Sequence, residues 1–336
     1  MVVGAGVMGA ATARAVASSG RSVLVLERFR VGHLRGSSHG DARIFRFSYH
    51  DPRYVRMAME SLPLWRELEA EAGTNLLRTT GGLDVGTAMG DHVRALAGEG
   101  AAHELLEAGE VLRQFGVRVE GDALFQPDAG VLSAEAAWRA FIEGAVAGGA
   151  EVREGEAATA LDPGAGGVEV RLASGETVSA RVAVVTAGAW ARPLLATAGI
   201  ELDVRPTRET VAYFPVPDAS PLPTLVDWGD PSVYSLPAPG NVVKVGEHQS
   251  GPETDPGEDA APDAASVRRL ATWMTARYPG VAEVPQRAET CLYTNTPDAG
   301  FVLERHGAIV VGSPCSGHGF KFAPWIGRRL AELSAD

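Results

Sequence analysis

The run Met1-Val2-Val3-Gly4-Ala5-Gly6-Val7-Met8-Gly9 decides the fold. A β-branched pair meets G-x-G-x-x-G, and Ala10 to Ser19 then reads as an alanine-rich helix free of breakers. Gly20 stands at the position that closes such a helix. Ser22 to Leu26 is an apolar run of the kind that forms a buried parallel strand, and it ends in Glu27. Strand, glycine turn, helix, strand and acid together make a βαβ unit. Its glycines let the backbone approach a pyrophosphate, which the helix N-terminus attracts through its N–H groups and dipole. Glu27 is spaced to accept hydrogen bonds from a ribose, and its charge favours a 2′-OH over a 2′-phosphate. Gly4, Gly6, Val7, Met8, Gly9, Glu27 and Arg28 are therefore cofactor-binding candidates. The motif alone does not separate FAD from NAD.

Composition narrows the remainder. A chain of 336 residues suggests two domains at roughly 150 residues each. A net charge of −12 argues against nucleic acid or an anionic membrane as the main partner. No apolar run approaches the roughly 18 to 20 residues of a membrane span. Two cysteines, Cys291 and Cys315, exclude a disulfide scaffold and fit a reducing, cytoplasmic setting without a visible signal peptide. The eight histidines show no zinc-type spacing, so no metal is expected.

Downstream, Arg30 to Asp51 reads as a long functional loop. Tyr54 to Glu71 predicts an amphipathic helix that Pro63 kinks or divides. Thr80 to Gly86 predicts a short strand, Asp91 to Phe115 a Gly-interrupted helix, and Ser133 to Ala147 a helix with Ser133 as N-cap. Val168 to Ala180 reads as a hairpin over Ser174-Gly175. Arg181 to Val185 is a strand running into Thr186-Ala187-Gly188-Ala189-Trp190. From Thr207 to Tyr293 the texture changes to antiparallel strands at Glu209–Val216, Ser232–Leu236, Asn241–Glu247 and Glu289–Tyr293. Gly251 to Asp263 is an acidic, Pro-containing exposed loop, Ala264 to Arg277 a helix, and Ala308 to Val311 a strand before a last helix from Ala323. The predicted class is mixed α/β: a Rossmann-like nucleotide-binding domain (1–85, 133–205 and 295–336) interleaved with an antiparallel-sheet substrate domain (86–132 and 206–294).

Four further stretches carry chemistry. In Gly36-Ser37-Ser38-His39-Gly40-Asp41-Ala42-Arg43-Ile44-Phe45-Arg46, two arginines three apart sit among small residues, and arginine grips carboxylate or phosphate oxygens in a planar fork. In Ser316-Gly317-His318-Gly319-Phe320-Lys321, a lysine at a helix start opposes the helix dipole and asks for an anionic ligand. Alternation puts Lys244 on the opposite strand face from Val243 and Val245, where spacing alone favours solvent; His248 follows. Cys291-Leu292-Tyr293 places Cys291 and Tyr293 on one strand face, and a small buried hydrophobe is the ordinary role of such a cysteine.

Taken in order, the glycine motif, His39-Gly40-Asp41-Ala42-Arg43, Ala187-Gly188-Ala189-Trp190, Cys291-Leu292-Tyr293-Thr294 and Gly317-His318-Gly319-Phe320-Lys321 resemble the monomeric sarcosine oxidase and N-methyltryptophan oxidase family, within the D-amino-acid oxidase superfamily. The resemblance runs from Met1 to about Ala331. It implies FAD, bound by the glycine motif, Glu27, Arg28, Ser38, His39, Arg43, Gly188, Trp190 and the Gly317-His318-Gly319-Phe320-Lys321 segment, and joined covalently through Cys291. It implies a substrate carboxylate clamped by Arg46 and Lys321, Lys244 promoting the reaction with O2, and Tyr293 and His248 lining the substrate site. Oxidation of an N-methyl or cyclic secondary α-amino acid with release of hydrogen peroxide is the activity it implies, and a monomer the state. A same-fold dehydrogenase using another acceptor is the alternative. So is a flavin-binding protein without turnover, because only Met1 to Val3 precede Gly4 and the first strand reads as cut short.

Overall fold

The computed structural model describes residues 1–87 and 89–335. A six-stranded sheet runs in the order Val302–His306, Ile309–Ser313, Ala183–Val185, Val2–Val3, Leu24–Glu27 and Glu151–Glu154. All neighbours are parallel except the first pair. Period-two alternation supplies both of its faces. Val2, Val25, Val184 and Val310 pack on one side against the helices Val7–Ser18, Ala134–Ala147 and Ala323–Leu333. Val3, Leu26, Ala183, Val185, Ile309 and Val311 face the other way. There they meet a three-stranded sheet (Ala158–Gly164, Gly167–Leu172, Thr177–Ala180) and the helix Ala191–Ala196. The hairpin over Ser174-Gly175 belongs to that small sheet.

An eight-stranded sheet follows the order Arg287–Asn295, Arg205–Pro215, Val242–Glu247, Val233–Ala238, Thr224–Trp228, Gly82–Gly86, Ala123–Gln126 and Glu104–Leu106. It is antiparallel but for the pair Thr224–Trp228 with Gly82–Gly86. Ala212, Phe214, Val243 and Val245 bury one face under Leu270 and Met274 of the helix Ala264–Arg277. Tyr213, Leu236 and Val242 on the other face meet Ala42 and Val131 of a second small sheet, Ala42–Phe45, Gly130–Ser133 and Leu77–Thr79.

Three expectations are corrected. The 21-residue helix Pro52–Ala72 is not divided at Pro63. An interior proline costs about 3 kcal/mol, but Val55, Trp65 and Leu68 are fully buried along this helix, at roughly 1.5–3 kcal/mol each. Residues 91–115 are not one helix. Gly100, at φ +72°, follows the helix Met89–Glu99, the edge strand Glu104–Leu106 comes next, and a separate helix spans Ala108–Phe115. The loop from Arg30 to Asp51 contains the strand Ala42–Phe45. Ser133 does stand at an N-cap, though its side chain makes no capping bond. Among the described residues, no helix is long and apolar enough to cross a membrane.

The first turn shows why its glycines are needed. Gly4 has φ +100°, and a methyl group on Gly9 would overlap the Gly4 carbonyl oxygen. Gly9→Ala is therefore expected to cost about 1–3 kcal/mol of stability and to release the cofactor. Urea unfolding and the absorbance of the purified protein measure the two effects.

Candidate active site

One cavity of about 1110 Å³ lies between the two large sheets, and nearly every residue singled out above lines it. From the nucleotide side come Gly4, Gly6, Val7, Met8, Glu27, Arg28, Ser38, His39, Arg43 and Arg46. Gly188 and Trp190 follow the strand Ala183–Val185, and Gly317, His318, Gly319, Phe320 and Lys321 follow Ile309–Ser313. The eight-stranded sheet contributes Lys244, Cys291 and Tyr293, with His248 just past a strand end. Gly9 is the exception; it serves the turn by packing and does not line the cavity.

The glycine turn is built to receive an anionic ligand. The helix Val7–Ser18 points its N-terminus at the cavity, and Ser38 Oγ accepts the Val7 N–H at 2.9 Å. Glu27 Oε2 accepts from Ala5 N at 2.7 Å and Oε1 from Phe29 N at 2.9 Å. Burial pushes the Glu27 carboxyl up, but His33 and these two N–H groups outweigh it and hold it below its ordinary value. It is thus ionised and keeps acceptor capacity for sugar hydroxyls. His39 Nε2 is buried without a partner. Burial, then Arg43 and Lys244, hold that imidazole near pKa 4, so it is neutral. Arg43 is locked by the carbonyls of Ala42 (2.9 Å) and Ser37 (2.7 Å), and its guanidinium lies 5.5 Å from the Phe320 ring centroid. This donor set, an ionised ribose acceptor beside a glycine turn and a helix N-terminus, fits an extended dinucleotide such as FAD.

Lys244 corrects the solvent-facing reading. Alternation does put it opposite Val243 and Val245, but that face is roofed by the strand Ala42–Phe45. The lysine is 5% exposed and donates to the Ala42 carbonyl at 3.3 Å. Burial, then Arg43, lower its pKa to about 7.

A second cationic pair, Arg46 and Lys321, lines the same cavity. Arg46 is 7% and Lys321 4% exposed; the Arg46 guanidinium lies over the Tyr49 ring, 4.2 Å from its centroid, and Lys321 Nζ lies beyond the hydroxyl of that ring, 5.4 Å from the centroid. Lys321 Nζ donates to Tyr49 Oη and to the His318 carbonyl, each at 2.8 Å. His318 Nε2 lies 2.9 Å from the Ala299 carbonyl and Nδ1 3.2 Å from Tyr49 Oη. With Nε2–H donating, Nδ1 accepts from the tyrosine. Burial and Lys321 hold this imidazole well below its usual range. Trp65 Nε1, on the helix that Pro63 fails to break, donates to the Lys321 carbonyl at 2.7 Å. Burial, then Arg46, keep the Lys321 ammonium well below the ordinary lysine value. His248 is held near pKa 4 by burial, then by Arg46 and Lys321. Its ring lies 5.8 Å from that of Tyr293. Gly317, at φ +76°, is required here because any Cβ would overlap Tyr293 and crowd His248. Two buried cations with unspent N–H groups can do one thing well, which is to grip a carboxylate.

Sequence reasoning missed Tyr49, Asp84 and Gln126. Tyr49 lies three residues after Arg46, a spacing that could have suggested partnership. Asp84 is an acid inside the buried strand Gly82–Gly86, and an unexplained charge in an apolar run was the available signal. Gln126 carried none.

Comparison with known proteins agrees with this geometry. Residues 1–333 match the family model described as FAD dependent oxidoreductase (DAO). The chain is 35% identical to human peroxisomal sarcosine oxidase, covering 99% of this chain and 91% of that one. It is 33% identical to monomeric sarcosine oxidase of Streptomyces avermitilis, covering 99% and 92%. Among solved structures, NikD, described as an unusual amino acid oxidase essential for nikkomycin biosynthesis, superposes with a TM-score of 0.88 at 30% identity, covering 100% of this chain and 93% of that one. The chain belongs to the DAO family of FAD-dependent oxidoreductases.

Proposed function

We propose that this protein oxidises N-methyl or cyclic secondary α-amino acids, sarcosine foremost, and passes the electrons to O2. The observation that carries this reading is the convergence of Arg46 and Lys321, both buried, on the same cavity as the glycine turn. Bound there, FAD would take a hydride equivalent from the carbon beside the amine and return two electrons to oxygen, giving an imine and hydrogen peroxide. The chain's own residues then have these roles. Arg46 and Lys321 hold the carboxylate and so fix the approach of the amine end. His248 and Tyr293 border that end, and both stay uncharged: the imidazole is held near pKa 4 and burial pushes the phenol well above its ordinary value. Lys244 supplies positive charge where oxygen is reduced. Trp228 and Tyr234 wall the substrate end. A panel of N-methyl and cyclic imino acids, scored for peroxide and oxygen uptake, tests the reading. Bleaching of the enzyme with no oxygen uptake would instead make it a dehydrogenase.

We further propose that FAD is joined through the sulfur of Cys291. Support comes from its place on the cavity wall, one residue from Leu292, whose carbonyl accepts a hydrogen bond from Ser37 Oγ. Burial pushes the thiol up, while Arg43 and Lys244 pull it back. After acid precipitation the yellow colour is expected to stay with the pellet of the parent protein and to leave that of Cys291→Ser. Colour retained by the variant would move the attachment to Cys315, which also borders the cavity.

A further inference from the structure

We propose that Asp84 is the positioning residue of the carboxylate clamp: a built-in counter-charge, supplied by the substrate-side sheet, that aims Arg46. The proposal rests on the clamp reading above and deepens it. Asp84 is 1% exposed. Its Oδ1 accepts from Trp228 Nε1 at 2.8 Å, and its Oδ2 from Gln126 Nε2 at 2.6 Å. Arg46 Nη1 lies 4.0 Å from Oδ1 and has no hydrogen-bond partner of its own. These three neighbours are all donors, so the arrangement suits a carboxylate.

The glutamine makes the link mechanical as well as electrical. Gln126 Oε1 accepts from the N–H groups of Phe47 (2.9 Å) and Ser48 (2.7 Å), the two residues that follow Arg46. Its amide therefore cannot flip, and its NH2 must face residue 84. Asp84 thus fixes the backbone behind Arg46 through Gln126, and the guanidinium in front of it by charge. Trp228, held by the same carboxylate, covers the guanidinium with its ring at 5.1 Å.

Asp84 stands 4.0 Å from Nη1, beyond hydrogen-bond reach, so it sets the direction of the guanidinium without occupying its N–H. A carboxylate offers that N–H two acceptor oxygens and an amide only one, so the site selects acids over their neutral amides.

The test compares FAD-loaded parent enzyme with Asp84→Asn, Asp84→Asn/Gln126→Glu and Arg46→Met. The readouts are steady-state kinetics on sarcosine and titration of the flavin spectrum with acetate and acetamide. In Asp84→Asn, KM and the acetate dissociation constant are expected to rise roughly tenfold or more. The acetamide affinity and kcat should stay within about threefold. The double variant exchanges carboxylate and amide within the same cluster, the new amide at position 84 donating to the new carboxylate at position 126, and part of the loss should be recovered. Unchanged or tighter acetate binding in folded, yellow Asp84→Asn would overturn the proposal. So would a loss shared equally by acetate and acetamide, or one the double variant leaves untouched. If Arg46→Met also binds acetate normally, the clamp reading falls with it. If only Arg46→Met loses acetate, the positioning role alone is refuted.

Discussion

Lys244→Met is expected to slow reoxidation of the reduced enzyme by oxygen roughly a thousandfold, leaving its reduction by substrate nearly unchanged. Oxygen gains negative charge as it takes its first electron. A cation about 4 Å away stabilises that charge by about 4 kcal/mol at an effective dielectric near 20. Each 1.36 kcal/mol is about tenfold in rate, which sets the size of the effect. The structure adds a pH dependence. Burial, then Arg43, put the Lys244 ammonium at a pKa of about 7. A lysine is charged below its pKa, so the parent's oxygen rate should fall as pH rises through that value. The methionine variant should be slow and flat over the same range. Stopped-flow mixing of the anaerobically reduced enzyme with oxygenated buffer measures both. A pH-independent parent, or a variant as fast as the parent, would take Lys244 out of the oxygen reaction.

The second large effect belongs to the clamp. Hydrogen bonds to charged groups contribute about 1.5–3 kcal/mol each. Removing both cations in Arg46→Met/Lys321→Met is therefore expected to lower kcat/KM by roughly a hundredfold to ten-thousandfold. The fold should survive the change, because Asp84, pushed up by burial and held back chiefly by Arg46, keeps its bonds from Trp228 and Gln126. Preference for an acid over its amide should collapse in the same variant. If the preference persists, the carboxylate is held elsewhere. Burial and Arg46 also weaken the Lys321 ammonium, and an arriving carboxylate restores it.

How far the sequence could be read depended on whether a feature was local. The Gly4–Gly9 turn, the helix after it and Glu27 were legible because pyrophosphate and ribose impose a fixed spacing on one short segment. The helix at Ala264–Arg277 was found to the residue, since its cap Asp263 and the stop at Tyr278-Pro279 lie in sequence. Lys244 was half legible. Alternation gave its face, but the cover on that face comes from Ala42–Phe45, a segment far away in the chain. At Pro63 the local backbone cost favours a break, and the burial of Trp65, which the local sequence does not show, outweighs it. The edge strand Glu104–Leu106 owes its state to a partner, Ala123–Gln126, and not to its own three residues. Asp84 and Gln126 were invisible as a pair, since only the sheet brings residues 46, 84, 126 and 228 together.

Two strands of the cavity wall, Thr224–Trp228 and Val233–Ala238, are adjacent and form one hairpin. Val226, Trp228, Ser232, Val233, Tyr234 and Leu236 all reach the cavity from it. The acid-gripping groups and the pigment cradle come from elsewhere in the chain. Diet and engine thereby meet at one ribbon residue, Trp228, which is tied to Asp84. A randomised library confined to this ribbon with Trp228 kept is expected to retune which amine is consumed while the machinery that burns it is inherited.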